Sequence, residues 1–222
     1  MECSGKIKIS DYKKIIPIGY NCATGMVLIN LNLRKEAYPL DWVVSNPFFV
    51  YEYIRTDFKD YFLKNKNDET NYLGQKFIWF KKTDNHNTHN NEADIETDID
   101  VGKNTINIFK NNCEKFNRRI KRFLSALNGD NKILFVYMKE YKIYRCNNEH
   151  LNKEKEHDNY LKKIDLLLKE KNVNFTLLII DFSNKESIKK EDNIITITLN
   201  MSNLQDNGRK CISNKLHKYL EI

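Results

Sequence analysis

Cys22 is the residue whose local sequence points most directly to chemistry. It follows an apolar run at residues 15–18 and a Gly-Tyr-Asn turn at residues 19–21, and an apolar helical pattern begins after it. Unpaired backbone N–H groups and the positive dipole end of a helix N-terminus favour an anion, so a thiol placed there is biased toward the thiolate. The pattern predicts a nucleophile. The ordinary alternative is that Cys22 is a buried small hydrophobe.

The turn before the cysteine has the residue types that a catalytic turn needs. Gly19 permits a sharp turn or a close backbone approach, and Asn21 is a competent helix N-cap. The backbone N–H of Cys22 and the side chain of Asn21 could together stabilise a developing oxyanion. We therefore predict that Gly19 and Asn21 shape the site around the thiol.

A cysteine nucleophile needs a base within hydrogen-bond reach, and the chain has five histidines. His86 and His89 directly follow a predicted strand, KFIWF, so the sheet could carry either of them to the active-site edge. His150 and His157 flank a run of charges, and His217 belongs to a predicted terminal helix, which makes all three poorer candidates.

The polar stretch around these two histidines, residues 81–100, has two other interpretations. His86 and His89 with Glu92 and Asp94 could be drawn as a metal site, but the spacing lacks the helical register and downstream ligands of a known zinc site. A surface loop rich in polar residues is the ordinary interpretation. We predict no metal and no cofactor.

Asp41 is the candidate third member of a catalytic group. It stands between Leu40 and Trp42, so we expect it to be partly buried and to require a partner. It could orient the histidine, or it could bond to the turn around Pro39. The sequence leaves both roles open.

The net charge of +7 raises the alternative of phosphate or nucleic-acid binding. The one dense basic run contains Arg118, Arg119 and Arg122 and lies within the pattern of a predicted helix at 107–128. We expect these basic residues to lie on the flanks and back of that helix, as a solvated face. Nucleic-acid binding therefore stays a minority hypothesis.

Predicted helices and strands alternate along the chain, which indicates a mixed α/β fold with a largely parallel sheet flanked by helices. The cysteine would then lie at a strand-to-helix turn. Strands are predicted near 15–19, 76–80, 132–138, 174–181 and 193–200, and helices near 22–32, 47–63, 107–128, 161–170 and 207–220.

Composition limits the remaining classes. The 222 residues, 41% hydrophobic, can bury one sizeable core, so we expect one domain covering residues 1–222. The five cysteines are scattered without a C-x-x-C pair, which argues against a disulfide framework and a zinc ribbon. No run approaches the roughly 20 apolar residues of a membrane span. We expect a cytoplasmic protein with reduced thiols.

Several motifs together resemble the signature of a family of papain-like cysteine peptidases found in bacteria and large DNA viruses. The run PIGYNCATGMVLINLNLRKEAYPLDWVVSNP contains a G-Y-N-C turn, an L-R after the first helix and a P-x-D-W element. The acidic-Phe pair Asp57-Phe58, the FNRRIKRFLSAL helix and the KILFVYMKE strand follow in order. The resemblance covers most of residues 15–140.

The resemblance implies a thiol hydrolase, in host cytoplasm if the protein is viral, with a papain-like α+β arrangement as the alternative fold. It places the histidine between the P-x-D-W element and the R-R-I helix, where only His86 and His89 lie. Neither is followed directly by an acid, as the family pattern has it, and we favour His89. The implied partner is a protein or peptide substrate. A catalytically silent relative that binds a partner protein is the alternative, and the oligomeric state stays open.

Overall fold

A five-stranded, largely parallel β-sheet lies between two layers of helices. The computed structural model describes residues 6–19, 22–41, 45–59, 71–72, 75–76, 103–139, 149–200 and 208–222. The strands are β1 (Ile7–Lys8), β2 (Lys14–Gly19), β3 (Asn71–Tyr72), β4 (Gln75–Lys76), β5 (Ile133–Met138), β6 (Phe175–Ser183), β7 (Ser187–Glu191), β8 (Ile194–Asn200) and β9 (Leu220–Glu221). The helices are α1 (Cys22–Asn30), α2 (Pro47–Arg55), α3 (Lys103–Leu127), α4 (Glu149–Glu170) and α5 (Gly208–Leu216).

The main sheet has the strand order β2-β5-β6-β8-β7. Neighbouring strands are parallel except for β7, which pairs antiparallel with β8. Two short pairs accompany it: β1 runs parallel to β9, and β3 runs antiparallel to β4. The carboxyl ends of β2, β5, β6 and β8 therefore lie at one edge of the sheet, where open α/β sheets bind their ligands.

The central strands are apolar on both faces because helices cover both. All six residues of β5 are buried, as is typical of a parallel strand enclosed on both sides. Alternate residues of the strand enter two separate cores. Phe135 belongs to the core that includes buried side chains of α2, α3 and α4, whereas Val136 belongs to the core that includes side chains of α1 and α5. The mixed α/β class predicted from the sequence is confirmed.

Helix α2 begins as predicted and ends earlier than predicted. The Asn46 side chain accepts a hydrogen bond from the Phe49 N–H at 3.1 Å, and Pro47 occupies the first turn. The helix ends at Arg55, not near residue 63, because Asp57 and Phe58 adopt left-handed backbone angles of 52° and 59°. The sequence predicted a longer helix because Phe58 fits the apolar helical spacing. It is buried in the core, at 4% exposure, although it lies beyond the end of the helix.

Two other elements differ from the prediction. Helix α4 begins at Glu149, twelve residues before the predicted start at residue 161, and its first turns consist mainly of charged and polar residues that give little apolar periodicity. Strand β7 was missed because the sequence SIKKE is exposed along nearly its whole length. Across the helices that the structure describes, none combines the length and hydropathy needed to span a bilayer.

Candidate active site

Cys22 is the first residue of α1, which begins just past the carboxyl end of β2. Its backbone therefore lies at the N-terminal end of a nine-residue helix, among the N–H groups that have no partner within the helix. The Cys22 side chain and residues Tyr20 and Asn21 lie outside the described part of the structure. The predicted strand-to-helix turn at the cysteine is present, and the chemical roles of Cys22 and Asn21 stay predictions.

Gly19 ends β2 in a conformation that requires glycine. Its φ angle is 139°, a region that residues with a side chain rarely adopt. A Cβ at this position would lie 2.7 Å from the Ser45 backbone oxygen and 2.9 Å from the Tyr137 ring. The end of β2 is therefore shaped by close packing at Gly19, and the role of Gly19 in shaping the site around the thiol stays a prediction.

A residue of helix α1 forms a hydrogen bond to the end of β2. The Thr24 hydroxyl, which is 1% exposed, donates a hydrogen bond to the Gly19 carbonyl. One residue further along, a Cβ on Gly25 would lie 3.3 Å from the Asp41 backbone oxygen. The first turn of α1 is thus hydrogen-bonded to the end of β2 and lies close to the Asp41 backbone.

Ser45 covers the opposite side of the same turn. The residue is fully buried, and its hydroxyl oxygen has no hydrogen-bond partner among the described residues. That oxygen lies 3.1 Å from the Cβ position of Gly19. Sequence reasoning missed Ser45, because it directly precedes the Asn46 cap of α2 and nothing in the local pattern marks it as buried.

Asp41 is fully buried and bound to its own chain segment. Its Oδ2 accepts hydrogen bonds from Arg34 Nε at 2.9 Å, from Arg34 Nη2 and from the Tyr38 N–H at 3.0 Å. Its Oδ1 is buried without a partner in the described part of the chain. The bond to Tyr38 closes the turn around Pro39, so the predicted turn role of Asp41 is present.

The environment of Asp41 shifts its ionisation. Burial raises the pKa of this carboxyl above its ordinary value, while the Arg34 guanidinium and the Tyr38 N–H oppose the shift and Arg119 opposes it from further away. The salt bridge is itself largely buried, since the Arg34 side chain is 16% exposed. Any role of Asp41 in orienting a histidine would have to use Oδ1, and that role stays a prediction.

His86, His89, Glu92 and Asp94 lie outside the described residues. Within the ranges that the structure does describe, no three His, Cys, Asp or Glu side chains are grouped closely enough to hold a metal ion.

The three arginines of the predicted basic patch do not share one exposed face. Arg118 is exposed. Arg119 is buried at 8% exposure with its guanidinium carbon 5.2 Å from the centre of the Phe116 ring, so the expectation that it lies on a solvated face was wrong. Arg122 donates a hydrogen bond to the Ala37 carbonyl and lies 3.8 Å from Glu36. Two of the three are thus committed to contacts within the fold.

A charged cluster at the same sheet edge was missed. Lys139 directly follows β5, and its Nζ lies 2.8 Å from an Asp158 oxygen and 2.9 Å from an Asp181 oxygen. Burial disfavours the ammonium, but the hydrogen bonds to the two carboxylates outweigh it and raise the pKa of Lys139. The available signal was a charged residue where each of two buried apolar runs stops, Lys139 directly after β5 and Asp181 near the end of β6.

Fold and site together define a mixed α/β protein with a cysteine at the carboxyl edge of its sheet, at the start of a helix. The family described as "Putative papain-like cysteine peptidase (DUF1796)" matches residues 13–185, so this chain belongs to that family. The match takes in the Cys22 turn, Asp41, the arginine run and Lys139 with both of its partners. No curated protein and no solved structure matches the chain.

Proposed function

We propose that this protein is a cysteine hydrolase in which Cys22 attacks an amide, isopeptide or thioester carbonyl of a protein or peptide. The observation that carries the proposal is the position of Cys22, at the first residue of α1 just past the carboxyl end of β2. Helix N-termini lower the pKa of thiols, because the helix dipole and free N–H groups stabilise the thiolate. Membership of a papain-like peptidase family supports the same chemistry.

The reaction divides into two steps. The Cys22 thiolate attacks the carbonyl carbon, and the tetrahedral oxyanion collapses to a thioester as the carbon–nitrogen bond breaks and an imidazolium gives its proton to the leaving amine. Water, deprotonated by the same imidazole, then attacks the thioester and releases the carboxylic acid and the thiolate. Where the substrate is itself a thioester, the leaving group of the first step is a thiol.

The remaining roles follow the sequence predictions. His89 is the proposed base, with His86 as the alternative. The Cys22 N–H and the Asn21 side chain would donate to the oxyanion, which is the largest single contribution in many such sites. Asp41 would orient the histidine through its unpartnered oxygen.

The first test measures whether Cys22 is an activated thiol. Iodoacetamide labelling followed by mass spectrometry should modify Cys22 at least about tenfold faster than the other thiols at pH 6.5, because thiolates with a lowered pKa persist there. Cys211 of α5 serves as the internal comparison, since it is a free cysteine of intermediate exposure. A Cys211→Ser variant should keep the fast labelling, and Cys22→Ala should lose it.

The second test measures turnover. Cys22→Ala and Cys22→Ser should abolish hydrolysis of a peptide or isopeptide substrate library, and Cys211→Ser should retain it. Equal, slow labelling of every accessible thiol, with no hydrolysis by the unmodified protein, would contradict the proposal. That outcome would favour a catalytically silent family member that binds a partner protein.

A further inference from the structure

We propose that a groove at the amino end of β2 binds an organic anion, meaning a small molecule with phosphate or carboxylate groups on an apolar body. The groove lies at the opposite end of the strand from Cys22. Lys14 begins β2 and Gly19 ends it, so the two ends are about 16 Å apart at the usual rise per residue of a strand. The proposal is independent of the cysteine chemistry.

The groove has the size of a small-molecule site. Its volume is about 620 Å³, within the range of ligand pockets in proteins. Ile9, Ile15 and Leu33 provide an apolar wall, and Ser10 and Asn32 add polar groups beside it. A molecule with an apolar body of moderate size would bury that body here.

The charge of the groove selects an anion. Lys13, Lys14 and Lys35 line it together with a single acid, Glu36, so its side chains carry an excess of two positive charges. Lysine ammonium groups are common point-charge ligands for phosphates and carboxylates.

The one acid, Glu36, is already paired with neighbouring positive groups. Glu36 lies 2.5 Å from Lys14 and 3.8 Å from Arg122, and it accepts a hydrogen bond from the Tyr38 hydroxyl at 2.9 Å. These partners, led by Lys14, lower the pKa of Glu36, so it is a carboxylate at neutral pH whose charge is offset by Lys14 and Arg122. Lys13 and Lys35 are exposed, and neither forms an ion pair with any described residue. Both ammonium groups are available to a ligand.

Tyr12 gives the groove a fixed aromatic wall. Its hydroxyl donates a hydrogen bond to the Thr176 hydroxyl at 3.1 Å, which fixes the orientation of the ring. The Lys132 ammonium lies 4.9 Å from the ring centre. A fixed aromatic ring beside two free ammonium groups suits a molecule that combines a flat or apolar body with an anionic group.

The test titrates the full-length protein with adenosine monophosphate, 4-phenylbutyrate and inorganic phosphate by isothermal calorimetry at low salt. The first two probes distinguish a phosphate from a carboxylate on an aromatic body, and inorganic phosphate measures charge alone. We expect at least one of the two organic anions to bind at least about tenfold more tightly than inorganic phosphate, because the apolar wall adds to the charge.

Two matched pairs of substitutions lower the net charge by the same amount. Lys13→Gln with Lys35→Gln should weaken binding by about tenfold or more, since both free ammonium groups are removed. Lys185→Gln with Lys190→Gln changes two exposed lysines of the β6–β7 region by the same charge and should alter affinity less than about twofold. Equal weakening by both pairs, equal binding of inorganic phosphate, or no binding of either organic anion would overturn the proposal. Cys22→Ala should bind as the unmodified protein does.

Discussion

The two ends of strand β2 are built in opposite ways. At the carboxyl end, Gly19 is enclosed by the Ser45 backbone and the Tyr137 ring, and the turn depends on backbone geometry. At the amino end, Lys14 and Glu36 form a half-exposed ion pair beside an open groove, and the surface depends on side-chain charge. A single strand thus presents a rigid, closely packed turn at one end and an adaptable charged surface at the other.

This difference indicates which end tolerates change. Close packing around a special backbone conformation leaves no room for an added atom, because protein interiors are packed as densely as organic crystals. Water screens the attraction between exposed charges, so removing one partner of an exposed pair costs the protein little stability. Glu36 contacts the amino end at Lys14 and Ser45 contacts the carboxyl end at Gly19, so substitutions around these residues compare the two ends directly.

The largest effect is expected from Asp41→Ala, which breaks the largely buried ion pair with Arg34. Breaking a buried ion pair costs about 3–5 kcal/mol in free energy of unfolding. Urea denaturation followed by circular dichroism measures it. Glu36→Gln, which breaks the half-exposed pair with Lys14, should cost about 1 kcal/mol or less. If the two variants lost similar free energies of unfolding, burial would not make the Asp41–Arg34 pair more important to stability than the Glu36–Lys14 pair.

The next effect is expected from Gly19→Ala. The added Cβ would meet the Ser45 carbonyl at 2.7 Å in a backbone conformation unfavourable to alanine, so we expect a loss of about 2 kcal/mol or more. Gly129→Ala is the matched control, because its Cβ would make only ordinary contacts of 3.6 Å and beyond. If Gly19→Ala were as stable as Gly129→Ala, the packed turn would not be as rigid as described. The iodoacetamide rate at Cys22 should fall in the first variant only.

The smallest effect is the pH dependence contributed by Glu36. Its pKa is lowered from 4.5 in the folded protein, chiefly by the hydrogen bond with Lys14. The folded state therefore binds this proton less readily than the unfolded state, and the stability contributed above pH 4.5 is lost as the pH falls through the folded pKa. Melting temperatures between pH 6 and pH 3 should fall slightly less steeply for Glu36→Gln than for the unmodified protein. Parallel curves would show that the pair contributes nothing.

The fold class followed from the sequence because its main signals are local. The short apolar runs rich in β-branched residues that form β5, β6 and β8 predicted strands, and Asn46-Pro47 marked the start of α2. Local reasoning failed where an element is solvent-exposed. Strand β7 is stabilised by its pairing with β8 and shows no apolar pattern of its own.

The site was predictable only in part, for a similar reason. Gly19 and Cys22 could be predicted from a few residues of sequence, because the local pattern indicates a turn followed by the start of a helix. Ser45, Lys139 and Asp181 come close to this edge only through the sheet and the packing of distant segments, and no local pattern records that. Arg119 was misjudged because a buried arginine over an aromatic ring has the same helical spacing as a solvated one.

The contacts of Glu36, Asp41 and Ser45 also indicate where extra residues can be inserted into the chain. Glu36 pairs with Lys14, the Asp41 backbone oxygen lies against Gly25, and Ser45 lies against Gly19, so each of these three residues has a fixed neighbour on β2 or α1. One inserted residue between Glu36 and Asp41 would detach one end from its partner. An epitope tag or fluorescent reporter is better placed in the exposed turn between β6 and β7, at residues 184–185, where the added chain would be free to extend into solvent.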